Sequence, residues 1–160
     1  MKIMVTGGVR SGKSSFALEL AEKYFKKKNF LATAIPFDEE MKRRIEQHKR
    51  ERGEEYNTIE ESIEIDKWAC EDIILDCITL WMNNIFYFKR EKDWEGILTK
   101  FLDNLKENAV IVTNETGLGN IPADPLTRKY NDYMGKANVL IASRMDWVYM
   151  LISGIPLRIK

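Results

Sequence analysis

Gly7-Gly8-Val9-Arg10-Ser11-Gly12-Lys13-Ser14 fits G-x-x-x-x-G-K-[ST], and few short stretches restrict a fold as tightly. The pattern carries its chemistry only between a buried strand and the start of a helix. Here the apolar run Lys2-Ile3-Met4-Val5-Thr6 precedes it, and Phe16, Ala17, Leu20, Ala21 and Tyr24 follow at helical spacing. Glycine at positions 7 and 12 tolerates backbone angles that a Cβ forbids, so successive N–H groups can turn inward. Together with the positive end of the following helix they form a cradle for phosphate oxygens. Lys13 is placed to reach the outer phosphates, and the Ser14 hydroxyl to hold Mg²⁺.

Apolar runs and helical runs alternate along the rest of the chain. Strands are predicted at residues 2–6, 30–34, 56–59, 73–76, 109–113, 147–152 and 155–159. Helices are predicted at 14–28, 38–52, 62–70, 80–88, 94–108 and 125–142, with Asp38 as an N-cap and Gly53 as a stop. This order predicts an α/β fold with a mostly parallel central sheet, helices on both faces and a C-terminal antiparallel edge strand. With 160 residues, and neither repeats nor linkers, the chain reads as one domain spanning residues 1–160. Ligands in such folds bind beyond the carboxyl ends of the strands. That rule nominates the glycine loop, Thr33-Ala34, Asp76 and Asn114-Glu115.

Composition removes several function classes. Lys+Arg and Asp+Glu both total 25, which gives no electrostatic reason to expect a nucleic-acid partner or an anionic membrane surface. No apolar run is long enough for stable membrane insertion. Cys70, Cys77 and a single histidine make neither a disulfide framework nor a familiar zinc site. With a strand starting at the N-terminus in place of a signal peptide, the expectation is a reducing cytoplasm.

Three further residues can carry chemistry. Asp76 ends an apolar strand, the position of a Mg²⁺-orienting acid in phosphate-transfer folds, although a helix N-cap also sits there. Glu115 follows a strand beside two glycines and reads either as a substrate contact that assists proton transfer or as a polar turn residue. His48, the only histidine, shares a helix face with Met41, Ile45 and Arg52. It is either a solvated histidine on a charged helix or a nucleophile open to phosphorylation or nucleotidylation. Lys49, Arg50 and Arg52 beside it suit phosphate oxygens, and suit pairing with Glu46, Glu51 and Glu55 equally well.

Four stretches resemble a known family: Val5 to Ser14; Glu40-Met41 with Arg44-Ile45 and His48; Val112-Thr113-Asn114-Glu115 with Gly117 and Gly119; and Val148 to Lys160 with Ser153-Gly154-Ile155. They resemble the bifunctional adenosylcobinamide kinase / adenosylcobinamide-phosphate guanylyltransferase (CobU-type) family over nearly the whole chain. The resemblance implies a RecA-like P-loop domain that assembles as a homotrimer. It implies ATP- or GTP-dependent phosphorylation of adenosylcobinamide. GMP transfer from GTP to adenosylcobinamide-phosphate then follows, giving adenosylcobinamide-GDP and pyrophosphate. His48 matches the guanylylated histidine, with Lys13 as its catalytic companion. Nucleotide contacts map onto Gly7, Gly8, Val9, Arg10, Ser11, Gly12, Lys13 and Ser14, onto Thr33, Ala34 and Ile35, onto Lys49, Arg50, Glu51 and Arg52, and onto Glu60 and Asp76. Mg²⁺ maps onto Ser14 and Asp76.

Two other readings stay open. A single-function P-loop kinase for a small alcohol would use Lys13, Ser14 and Asp76 and leave His48 idle. A nucleotide-switched binding module would need an N-K-x-D guanine element after a strand, and the sequence has none.

Overall fold

The computed structural model describes residues 1–119 and 121–160. Seven strands form one sheet: β1 (Lys2–Gly7), β2 (Asn29–Ala32), β3 (Asn57–Glu60), β4 (Ile73–Asp76), β5 (Ala109–Val112), β6 (Trp147–Ile152) and β7 (Ile155–Arg158). Their spatial order is β3-β2-β4-β5-β1-β6-β7. Every pairing is parallel except that of β6 with β7, which turns through Ser153-Gly154 and runs antiparallel at the edge. Five helices connect the strands: α1 (Lys13–Tyr24), α2 (Glu39–Arg52), α3 (Ile78–Tyr87), α4 (Trp94–Asn104) and α5 (Pro125–Arg144).

Strand side chains alternate between two cores, as the pleat requires. Met4, Ile73, Leu75, Ala109 and Ile111 face a core shared with α3, α4 and α5. Ile3, Val5, Ile74, Val110 and Val112 face the other, where Ala17, Leu20 and Ala21 of α1 cover them. The central strands are therefore apolar on both faces, which suits a parallel sheet covered on two sides. Trp81 is fully buried and donates its indole N–H to the Ile63 carbonyl at 2.8 Å, so its one polar atom stays satisfied.

Helix α2 is different. Asp38 accepts from the Met41 N–H and caps it, and Gly53 with φ 78° ends it, as predicted. Yet Arg52 is its only buried residue, and none of its apolar residues joins either core. The helix predicted at 62–70 is not formed. Only a 3₁₀ turn, Ile65–Trp68, appears there. The Glu61 carboxylate accepts from the N–H groups of Ile63 and Glu64, giving this backbone a local turn in place of a helical ladder.

Among the described residues, no helix is long and apolar enough to cross a membrane.

Candidate functional site

The phosphate loop joins β1 to α1 with alternating handedness. Gly7 has φ 147°, Arg10 has φ 55° and Gly12 has φ 89°. A Cβ at Gly7 would lie 2.5 Å from the Leu151 carbonyl oxygen on neighbouring β6, so glycine is required there. Gly12 forms the N-cap of α1 without a side-chain cap, which leaves the first-turn N–H groups of the helix facing the loop. Ser11 is buried, and its hydroxyl has no partner among the described residues. Such a donor suits an anion's oxygen.

Lys13 is buried, and its ammonium donates to the Gly8 carbonyl at 2.5 Å. Burial pushes its pKa down, while Cys77 and Asp76 oppose that shift. The Ser14 hydroxyl donates to Asp76 Oδ2 at 3.0 Å. Burial pushes the Asp76 carboxyl above its ordinary pKa; the Ser14 hydrogen bond, then the charges of His48, Lys13 and Arg52, pull the other way. The acid at the end of β4 is thus surrounded by cations and by the loop hydroxyl.

These groups open into a cavity of about 490 Å³. Its floor is the loop from Val9 to Ser15, and its wall is α2, through Arg44, Ile45, Gln47, His48, Lys49, Glu51 and Arg52. Asp76, Cys77, Leu80 and Asn114 line it from the strand ends and α3. His48 therefore shares one cavity with the phosphate loop. Its Nδ1 lies 3.5 Å from Glu51 Oε2, and its side chain is half exposed. A second cavity of about 430 Å³ adjoins the first, between α1 and α2, and shares His48, Arg52 and Asp76 with it.

Arg52 anchors α2 to the sheet. Its guanidinium stacks on the Phe30 ring at 3.9 Å and donates to Thr58 Oγ1 at 3.0 Å, and its buried Nε has no partner among the described residues. Burial pushes its pKa down, against the charges of Asp76, Glu60 and Tyr56.

Other sequence-nominated residues lie elsewhere. Ala34 lines the cavity, whereas Thr33 and Ile35 do not. Thr33 is fully buried; its hydroxyl donates to the Cys77 carbonyl at 2.8 Å and accepts from the Cys77 N–H at 3.1 Å. Glu60 is ion-paired with Lys49 at 2.5 Å, outside the lining, and Arg50 also lies outside it. Glu115 is absent from the lining and ties the backbone to the loop by donating its N–H to the Gly7 carbonyl at 3.1 Å. Phe30 and Leu80 line the cavity without any local sequence signal for that role.

No group of three or more His, Cys, Asp or Glu side chains among the described residues is placed to hold a metal ion. The hydroxyl and carboxylate of Ser14 and Asp76 nonetheless suit Mg²⁺, which takes few protein oxygens and keeps waters and phosphates as its other ligands.

A family model described as cobinamide kinase / cobinamide phosphate guanyltransferase matches residues 3–159. The chain is 33% identical over 169 residues to the bifunctional adenosylcobalamin biosynthesis protein CobP of Pseudomonas aeruginosa, covering 100% of this chain and 98% of that one. It is 32% identical over 182 residues to the bifunctional adenosylcobalamin biosynthesis protein CobU of Escherichia coli, covering 100% of both. In fold it is similar to an ATPase from the type III secretion system of pathogenic bacteria, with a TM-score of 0.55 and 11% identity. That match covers 94% of this chain and 51% of the ATPase. It supports a RecA-like P-loop architecture.

Proposed function

The chain belongs to the cobinamide kinase / cobinamide phosphate guanyltransferase family, and we propose that it performs both transfers in the cavity shared by the phosphate loop and His48. The observation that carries this reading is that His48 and Lys13, from α2 and α1, line the same space.

In the kinase step, the arm hydroxyl of adenosylcobinamide bonds to the γ-phosphorus of ATP or GTP. The bond from that phosphorus to its bridging oxygen breaks, and the electron pair stays on the nucleoside diphosphate. Lys13, the loop N–H groups and the start of α1 neutralise the charge that spreads over the phosphate oxygens. In the second step a neutral imidazole attacks the α-phosphorus of GTP, and pyrophosphate leaves from the same cradle. Glu51 lies beside Nδ1, so Nε2 is the attacking nitrogen and Nδ1–H the one the carboxylate steadies. A phosphate oxygen of adenosylcobinamide-phosphate then displaces histidine from phosphorus, giving adenosylcobinamide-GDP and the free imidazole.

Ser14 and Asp76 would hold Mg²⁺, which when bound neutralises phosphate charge. Ala34, Lys49, Glu51 and Arg52 extend the nucleotide site from the strand ends and α2. Thr33 and Glu60 act on it through the Cys77 backbone and Lys49. The reading includes a single catalytic domain, residues 1–160. It also includes a homotrimer, supported by exposed Ile152, Ile155, Leu157 and Ile159 on and beside the terminal hairpin. A cytoplasmic setting is supported by the free thiols of Cys70 and Cys77.

Intact mass spectrometry after mixing with GTP and Mg²⁺ tests this. The wild-type protein gains an acid-labile GMP adduct, and His48→Ala does not, while His48→Ala still phosphorylates adenosylcobinamide. A wild-type protein that phosphorylates the substrate without forming the adduct would be a single-function kinase.

A further inference from the structure

Strand β5 lies between β4, which ends in Asp76, and β1, which opens into the phosphate loop. Beyond β5 the backbone stays beside that loop: the Thr113 N–H donates to the Val5 carbonyl at 3.0 Å and the Glu115 N–H to the Gly7 carbonyl at 3.1 Å. Asn114 stands between these two bonds, flanked on one side by the acid and on the other by the lysine loop.

Its backbone is held at both ends. The N–H donates to Thr79 Oγ1 at 2.9 Å, and the carbonyl accepts from Asn138 Nδ2 at 3.0 Å. Asn138, on α5 and 6% exposed, also accepts from the Thr113 hydroxyl at 2.8 Å. Thr79 is fixed in turn by Tyr130, whose hydroxyl donates to the Thr79 carbonyl at 2.9 Å. Buried polar side chains of this kind normally serve one another. Here two of them, Thr79 and Asn138, hold the N–H and the carbonyl of a single residue, Asn114, which lines the cavity.

We propose that Asn114 is a catalytic residue of the phosphorylation step, and that its amide orients the γ-phosphoryl group and the incoming hydroxyl. Resting on the kinase reading above, the assignment gives the cavity two chemically distinct ends, with His48 reaching in from α2 and Asn114 from the sheet. An amide suits this place because it offers N–H donors and a carbonyl acceptor on one rigid plane. The Nδ2–H groups hold an equatorial γ-oxygen, and Oδ1 accepts the O–H of the arm. As the arm oxygen bonds to the γ-phosphorus, the bond to the bridging oxygen breaks with its electrons going to the diphosphate, and the hydroxyl proton passes to a γ-phosphoryl oxygen and then to solvent. Guanylyl transfer forms no bond at the γ-phosphorus and brings no hydroxyl to it, so there the contact only helps to hold the departing pyrophosphate.

Asn114→Ala removes the amide and keeps the backbone bonds to Thr79 and Asn138. The expected result is a kcat for adenosylcobinamide phosphorylation lower by about 100-fold, the scale set by loss of one preorganised donor. Formation of the GMP adduct on His48 stays within about threefold of wild type, and neither GDP affinity nor the thermal unfolding midpoint moves. Equal losses in both reactions, or an unchanged phosphorylation rate, would overturn the assignment. A wild-type protein that performs neither reaction would instead overturn the functional reading beneath it.

Discussion

Ser14 Oγ lies 3.0 Å from Asp76 Oδ2 and donates to it, joining the first turn of α1 to the end of β4 across 62 positions of sequence. The contact brings the last residue of the glycine motif to the carboxylate that ends β4, and both line the cavity. It also sets a conflict between stability and function, because Asp76 is held in a place that disfavours its charge.

The sign of that conflict is testable. The folded-state pKa of Asp76 is raised, so between the unfolded and folded values the native state binds more protons than the unfolded one, and stability falls as pH rises through that window. Asp76→Asn removes the penalty. Its thermal midpoint without nucleotide at neutral pH should exceed that of wild type, while both transfer reactions fall by about 100-fold or more. Differential scanning calorimetry and steady-state assays on one preparation check the two halves.

Gly7→Ala should disable the loop without touching a catalytic atom. The added Cβ meets the Leu151 carbonyl at 2.5 Å and sits on a backbone with φ 147°. A cost of about 2 kcal/mol or more is expected from strain of this kind. Urea unfolding should show it, together with loss of GTP binding in calorimetric titration.

Thr33→Val separates position from contact. Both bonds of the Thr33 hydroxyl go to the backbone of Cys77, the residue after Asp76. Their loss should cost about 1–3 kcal/mol. GTP affinity, measured at a temperature where the variant remains folded, should change by less than about fivefold. A loss of affinity far beyond that would mean that the hydroxyl touches the nucleotide.

Glu51→Gln tests the support given to the nucleophile. With its carboxylate 3.5 Å from His48 Nδ1, the wild-type side chain steadies the imidazole as it gains a bond to phosphorus. Adduct formation in a single turnover should slow by about 10-fold, less than the roughly 100-fold or more of a group that itself transfers the proton, and phosphorylation should hardly change.

Arg52→Ala should lower stability by about 1–2 kcal/mol, because it removes a buried guanidinium stacked at 3.9 Å on Phe30 and covering that ring. Arg52→Lys should restore little of it, since an ammonium has no plane to stack. Chemical denaturation of the two variants side by side reads this out.

The sequence revealed those parts of the site whose chemistry is local. The glycine loop is contiguous, its strand and helix adjoin it, and its geometry follows. Asp76 was nominated because it ends an apolar run, where an N-cap carboxylate also sits, and the fold brings it to Ser14 and the cavity. Thr33 misled because position after a strand does not give direction. Side chains alternate along an extended chain, so Ala32 and Ala34 reach the cavity while Thr33 turns into the fold. Arg50 misled similarly on α2, where the wall uses Arg44, Ile45, His48 and Arg52 and helical spacing turns residue 50 away. The failed helix at 62–70 has apolar residues at plausible intervals, but the Glu61 carboxylate competes for the N–H groups such a helix would need. Phe30, Leu80 and Asn138 enter through packing between elements distant in sequence, which no local pattern records.

The helix that carries His48 gives the protein interior only Arg52. Its charged residues other than Arg52 can therefore be rewritten with little effect on folding, whereas Gly7 is wedged against β6 and admits no side chain. Selection can tune or weaken nucleotidyl chemistry through that helix while the phosphate loop and the strand ends stay unaltered. An engineer who grafts a different α2 onto this chain would be exploiting the same independence.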